Sequence, residues 1–133
     1  MSKVKKTKLK EKIENISFEP THIKFNFSFI TYSKDFDGEH KIQFINRLVD
    51  LSKESYLVVS GWPKEIGFEN IPLNIKKEIH PNFANQYRKF DGKYTVIRLY
   101  TNNNPLPSRI IGKMINKIFY IFFIDIKGDL YEH

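Results

Sequence analysis

The sequence predicts an α+β fold: an N-terminal strand, two helices, then a three-stranded antiparallel meander, with the helices packed on one face of the sheet. Three observations carry this. The segment HIKFNFSFITY alternates apolar and polar residues, which marks a half-buried strand. Ile42, Ile45, Leu48, Val49 and Ser52 recur at helical spacing. From Tyr94 onward the pattern turns to strands, ending in IFYIFFI, which is apolar on both faces and so belongs inside a sheet.

Taken in order, residues 1–20 form a Lys-rich arm with six Lys against three Glu. Leu9, Ile13 and Ile16 suit one side of a short helix or a mobile arm alike, and Pro20 ends the segment. Residues 21–133 then make one α+β domain, the size a single core supports. In its first strand Ile23, Phe25, Phe27 and Phe29 face the core. The turn KDFDG offers Asp37 as N-cap for a helix over about 39–53. YLVVS, residues 56–60, reads as strand or helix, and GWP breaks it. A second helix is expected over about 72–79, stopped before Pro81. In the meander, KYTVIRLYT sets Val96, Arg98 and Tyr100 against Ile97 and Leu99, and NNNPLP is a loop. SRIIGKMI is the next strand, Asn116-Lys117 a two-residue turn, and KIFYIFFIDI the central strand, with a bend allowed at Gly128.

The charge is uneven. The net +7 divides into +3 over residues 1–20, zero over 21–83, +6 over 84–117 and −2 over 118–133. The +6 stretch holds Arg88, Lys89, Lys93, Arg98, Arg109, Lys113 and Lys117 against Asp91 alone. A concentrated basic field attracts polyanions, nucleic acid above all, or an acidic protein. Against this, 18 of the 22 basic residues are Lys in a chain rich in Ile and Asn, so part of the charge is solvated filler. The absence of Cys excludes disulfides and thiol chemistry. With no apolar leader and a longest apolar run of seven residues, the expectation is a cytoplasmic chain without membrane contact. No nucleotide-binding or hydrolase motif occurs, and no cofactor is implied. Asp125, Asp129 and Glu132 match no compact magnesium pattern, and Lys127 opposes a divalent ion among them, so no metal is expected. His22, His40 and His80 read as surface or capping groups, and His133 as a terminal residue.

The basic strand KYTVIRLY, the Arg-bearing hairpin SRIIGKMINKIFYIFFIDI and the ending KGDLY, following a strand and helices, resemble the RelE/ParE superfamily of bacterial toxin–antitoxin toxins over residues 92–131. Ser108 stands where the family often has Tyr, and Lys127 where it usually has Arg. The nuclease branch implies metal-independent cleavage of messenger RNA, often on the ribosome, with an acidic antitoxin as partner. The resemblance puts Arg109 in the place of a phosphate-clamping arginine, with Lys93, Arg98 and Lys127 adding charge and Tyr131 stacking on a base or moving a proton. Arg88, Lys89, Lys113 and Lys117 would contact the RNA backbone. Structural roles stand beside these: Arg98 in an ion pair with Asp50 or Glu54, Arg109 blunting a sheet edge, Tyr131 as a lid on the core. The competing function is a non-catalytic interaction protein that binds an acidic partner, or RNA without cleaving it.

Overall fold

The computed structural model describes residues 21–75, Phe83 and residues 92–131. The Lys-rich arm, His80, Arg88, Lys89, Glu132 and His133 lie outside the described residues, as do positions 76–79 of the expected second helix.

The fold is α+β, with two helices among the described residues and a mixed six-stranded sheet. The three antiparallel strands foreseen from sequence are β4 (Lys93–Arg98), β5 (Arg109–Ile115) and β6 (Ile118–Asp125). They form part of a larger sheet. On one side β1 (Lys24–Asn26) and β2 (Thr31–Tyr32) both pair parallel with β6. On the other, β3 (Glu69–Pro72) pairs antiparallel with β4. β6 therefore sits between neighbours, which explains its run of aliphatic and aromatic residues.

Two expected elements differ. The single N-terminal strand is broken, because the Asn26 side chain accepts from Ser28 N at 2.9 Å and turns the chain. Ile23 and Phe25 keep their places against one core cluster, whereas Phe29 enters the other and Phe27 is exposed. The expected helix from 72 is not formed at its start: Pro72 closes β3, whose edge position tolerates proline, and residues 73–75 follow in no regular element. The second helix is α2 (Tyr56–Ser60), the segment left open between strand and helix. Ser55 decides it by capping, its Oγ accepting from Val58 N at 3.3 Å.

Helix α1 (Gly38–Ser52) starts after Asp37 as expected, although the Asp37 side chain makes no capping bond. Its buried side is Phe44, Arg47, Leu48 and Leu51, not the stripe through Ile42, Ile45 and Val49. Phe44 packs edge-on against Phe36 at 5.4 Å, and this aromatic contact selects the larger of the two apolar sides. Arg47 is 3% exposed; its Nε donates to Arg98 O at 2.8 Å and its Nη2 to Ile66 O at 3.1 Å. One buried guanidinium thus ties α1 to the end of β4 and to the loop before β3.

The core has two parts. Phe44, Leu48, Leu51 and Val59 from the helices pack with Ile97, Leu99, Ile110, Phe119 and Ile121, so both helices serve one side of the sheet. Tyr94, Val96, Ile111, Phe122 and Phe123 meet Phe29 and Phe83 on the other, with Leu130 and Tyr131 against them. A bulge lets two successive aromatics share that side: Ile111 faces Phe123 and Gly112 faces Ile121, leaving Phe122 as an extra residue in β6. Gly112 lies so close to the β6 backbone that any Cβ would collide with the Tyr120 carbonyl oxygen. The β5–β6 turn is Asn116-Lys117, both at positive φ (52° and 65°), as a tight primed hairpin turn requires.

Candidate functional site

Strand alternation sets the direction of the polar residues at one end of the sheet. Ile97 and Leu99, Ile110, and Ile124 and Ile126 all join the helix-side core. Arg98, Arg109 and Asp125 lie between or beside them and so point to the opposite face. Register then lines them up: Arg98 opposes Arg109 across β4–β5, and Arg109 opposes Asp125 across β5–β6. The result is a transverse Arg–Arg–Asp row, with strands about 4.8 Å apart.

Each member has defined partners. Arg98 Nη1 donates to Thr101 O at 3.2 Å, and Nη2 stands 4.0 Å from Glu65 Oε1; its side chain is 18% exposed. The pairing is with Glu65, not with Asp50 or Glu54. Arg109 is deeper, at 5% exposure, and its Nη1 donates to Asn103 Oδ1 at 2.8 Å and to Ser108 O at 3.1 Å. Asn103, at φ 59°, belongs to the NNNPLP loop, which folds back over the arginine. Asp125 turns its carboxylate to the chain that follows: Oδ1 accepts from Gly128 N (3.1 Å) and Asp129 N (3.3 Å), and Oδ2 from Leu130 N (3.0 Å). Gly128 makes this turn at φ 71°. Ser108 Oγ, buried, donates to Ile126 O and closes the same corner.

This anchoring delivers Tyr131. Its ring packs on the aromatic core while its hydroxyl accepts a hydrogen bond from Arg109. Burial raises the Tyr131 pKa; the Arg109 charge and hydrogen bond oppose the rise without cancelling it, and Glu69 and Asp125 add to it. At neutral pH the phenol is therefore protonated beside a fixed cation.

The structure sets Arg98 opposite Arg109 and brings Tyr131 to Arg109, and it places the lysines elsewhere. Lys93 begins β4, five residues from Arg98 and so about 17 Å away along the strand. Lys113 is beside it, Nζ donating to Lys93 O at 2.8 Å, and Lys117 is in the hairpin turn. Lys127 lies near the row but is exposed and 3.8 Å from Asp35 Oδ2. Among the described residues no group of three His, Asp or Glu side chains is placed to hold a metal ion, and no helix is long and apolar enough to cross a membrane. His40 Nδ1 is 2.6 Å from the Tyr100 hydroxyl, but Tyr100 packs on the helix side of the sheet, away from the row.

Sequence reading missed Asp125 as the anchor of Tyr131, Asn103 as the cover of Arg109, and Glu65 as the partner of Arg98. The spacing Asp125-x-x-Gly128 was the available signal, since an aspartate three residues before a turn glycine accepts from the turn's own amides. Comparison with protein-family profiles, curated proteins and solved structures gave no match to this chain.

Proposed function

We propose that the protein acts on RNA as a RelE-like toxin does, receiving a backbone phosphate at the Arg98–Arg109–Tyr131 end of the sheet. One observation carries the reading. Two arginines stand directly opposite each other on neighbouring strands, an arrangement whose mutual repulsion costs stability unless anions offset it. Glu65 and Asp125 each stand beside one of the two arginines, and a phosphodiester would add a further anion to the pair.

Exposure assigns the roles. Arg98 and the half-buried Tyr131 meet the phosphate, Arg98 through its planar fork to the non-bridging oxygens. Arg109 is a positioning residue beneath them, holding the Tyr131 hydroxyl. In the metal-independent reaction the ribose 2′-hydroxyl gives its proton to water as its oxygen attacks phosphorus, the bond to the 5′-oxygen breaks, and a 2′,3′-cyclic phosphate remains. Arg98 offsets charge on the phosphorane, and Tyr131, protonated at neutral pH, donates to the departing 5′-oxygen. Lys93 and Lys113, at the far end of the strands, track the RNA backbone.

Incubation of the protein with RNA, alone and on ribosomes, in the presence of a chelator tests this. Cleavage with cyclic-phosphate ends, lost in Tyr131→Phe and Arg98→Ala, is the expected result; intact RNA in both settings removes the nuclease claim.

A second reading follows from the burial of Arg109 and the pairing of Arg98 with Glu65: the row is a structural network, and the protein binds RNA or an acidic partner without chemistry. RNA affinity that falls steeply with salt, without product, selects that reading.

A further inference from the structure

Helix α1 carries two apolar stripes, and only one is used by the domain. Ile42, Ile45 and Val49 recur at i, i+3 and i+7 and are 66%, 55% and 47% exposed. At 100° per residue this stripe lies roughly 125° around the helix from the buried Phe44–Leu48–Leu51 side, so it points away from the core. Contiguous exposed aliphatics on one helix face mark an interaction surface.

The border of the stripe identifies the occupant. Glu39, Asn46 and Lys53 follow one another at seven-residue intervals along one flank, all exposed. Among the described residues the Lys53 side chain is held only by a 3.9 Å contact with Asp50 between side chains 68% and 58% exposed, a pairing that is cheap to exchange. About Asn46 the flank is palindromic in position and opposite in sign. A two-fold axis there brings Glu39 of each copy to Lys53 of the other, the self-complementarity an isologous interface demands. Long-range charge agrees: the chain is +7 overall, but residues 21–83 are neutral, so two copies approach with least repulsion through this part.

We propose that α1 pairs antiparallel with α1 of a second copy, sealing Ile42, Ile45 and Val49 in a seam bordered by two Glu39–Lys53 pairs. The helix is about 22 Å long, and the seam falls short of the ~800 Å² per partner of a standard interface, so the dimer is weak and concentration-dependent. The Arg98–Arg109–Tyr131 row lies on the opposite side of the sheet and stays open, so this inference stands apart from the RNA proposal.

Sedimentation equilibrium of the full chain from about 10 μM to 1 mM reads the dissociation constant. Dimer is expected to appear across that range, and Ile45→Glu to raise the constant at least ~100-fold by placing two carboxylates in the seam. Glu39→Lys alone and Lys53→Glu alone each weaken association about 3- to 10-fold, because the two-fold axis doubles every like-charge contact, and the double variant restores it. Asn46→Cys, in a chain without cysteine, cross-links to its own copy on oxidation. Circular dichroism confirms folding of each variant, since every altered side chain is exposed. A monomer at 1 mM, a dimer indifferent to Ile45→Glu, or a charge swap that fails to restore association overturns the proposal.

Discussion

Replacing Asp125 by alanine removes the acceptor of three backbone amides at once. Gly128 N is buried, and Asp129 N and Leu130 N are partly so. A hydrogen bond to a charged acceptor contributes about 1.5–3 kcal/mol net. Water can replace part of what the two half-exposed amides lose, and less of what the buried Gly128 N loses. Arg109 also loses the carboxylate opposite it in register, leaving a guanidinium at 5% exposure with less compensation. Together these put Asp125→Ala at about 3–5 kcal/mol, a large share of the 5–15 kcal/mol typical of a domain. Asp125→Asn keeps one acceptor oxygen and costs about 2 kcal/mol. Urea unfolding measures both. Two local readouts separate this anchor from a general core defect. Hydrogen exchange at Gly128, Asp129 and Leu130 should lose protection, and the raised Tyr131 pKa should fall back toward its ordinary value near 10, because burial is its main cause. A cost below about 1 kcal/mol for Asp125→Ala, or unchanged Tyr131 titration, would mean that Asp125 does not anchor this corner.

Arg47→Met keeps the length of the side chain but leaves Arg98 O and Ile66 O without their donor; thermal unfolding should show a loss of about 2–3 kcal/mol, and an unchanged midpoint contradicts the role assigned to it. Gly128→Ala combines positive φ with a Cβ that collides with the Pro107 carbonyl oxygen, whereas Gly92→Ala has positive φ in open space. The first should cost about 3 kcal/mol or more and the second about 1 kcal/mol in the same unfolding assay. Burial raises the pKa of Tyr94, Tyr100 and Tyr131 above 10. The unfolded chain releases these protons first, so their contribution is intact below pH 10 and is lost as pH climbs from there through the folded values. Unfolding free energy measured from pH 8 to 11 should therefore fall at the alkaline end, less steeply in Tyr131→Phe; a rise would contradict the burial of these phenols.

The meander was legible because its signals are local: two alternating strands, a turn dipeptide and a run apolar on both faces. What surrounds it was not. β1 and β2 pair parallel with β6, ninety residues away in sequence, and no local pattern encodes a partner so distant. The first strand looked continuous because its alternation is unbroken; the side chain of Asn26 breaks it. In α1 the periodicity was correct, but of Ile42, Ile45, Leu48, Val49 and Ser52 only Leu48 is buried: Phe44–Leu48–Leu51 satisfies a helical repeat as well, and only tertiary packing chooses between the two sides. Arg98 and Arg109 were picked out by their charge, and hairpin register placed them opposite each other. Their partners Asn103, Asp125 and Glu65 come from loops and strand ends whose positions depend on the finished fold.

The most direct test of the account is RNA cleavage by the purified chain in chelator, with Arg98→Ala compared with Lys93→Ala. Arg98 is exposed enough to be replaced without emptying the core, and Lys93 carries the same charge about 17 Å away. Cyclic-phosphate products are expected that vanish in Arg98→Ala and persist, at reduced RNA affinity, in Lys93→Ala. Equal loss in both variants, or cleavage unaffected by Arg98→Ala, would contradict the assignment of the Arg98–Arg109–Tyr131 corner as the place where the phosphate is held.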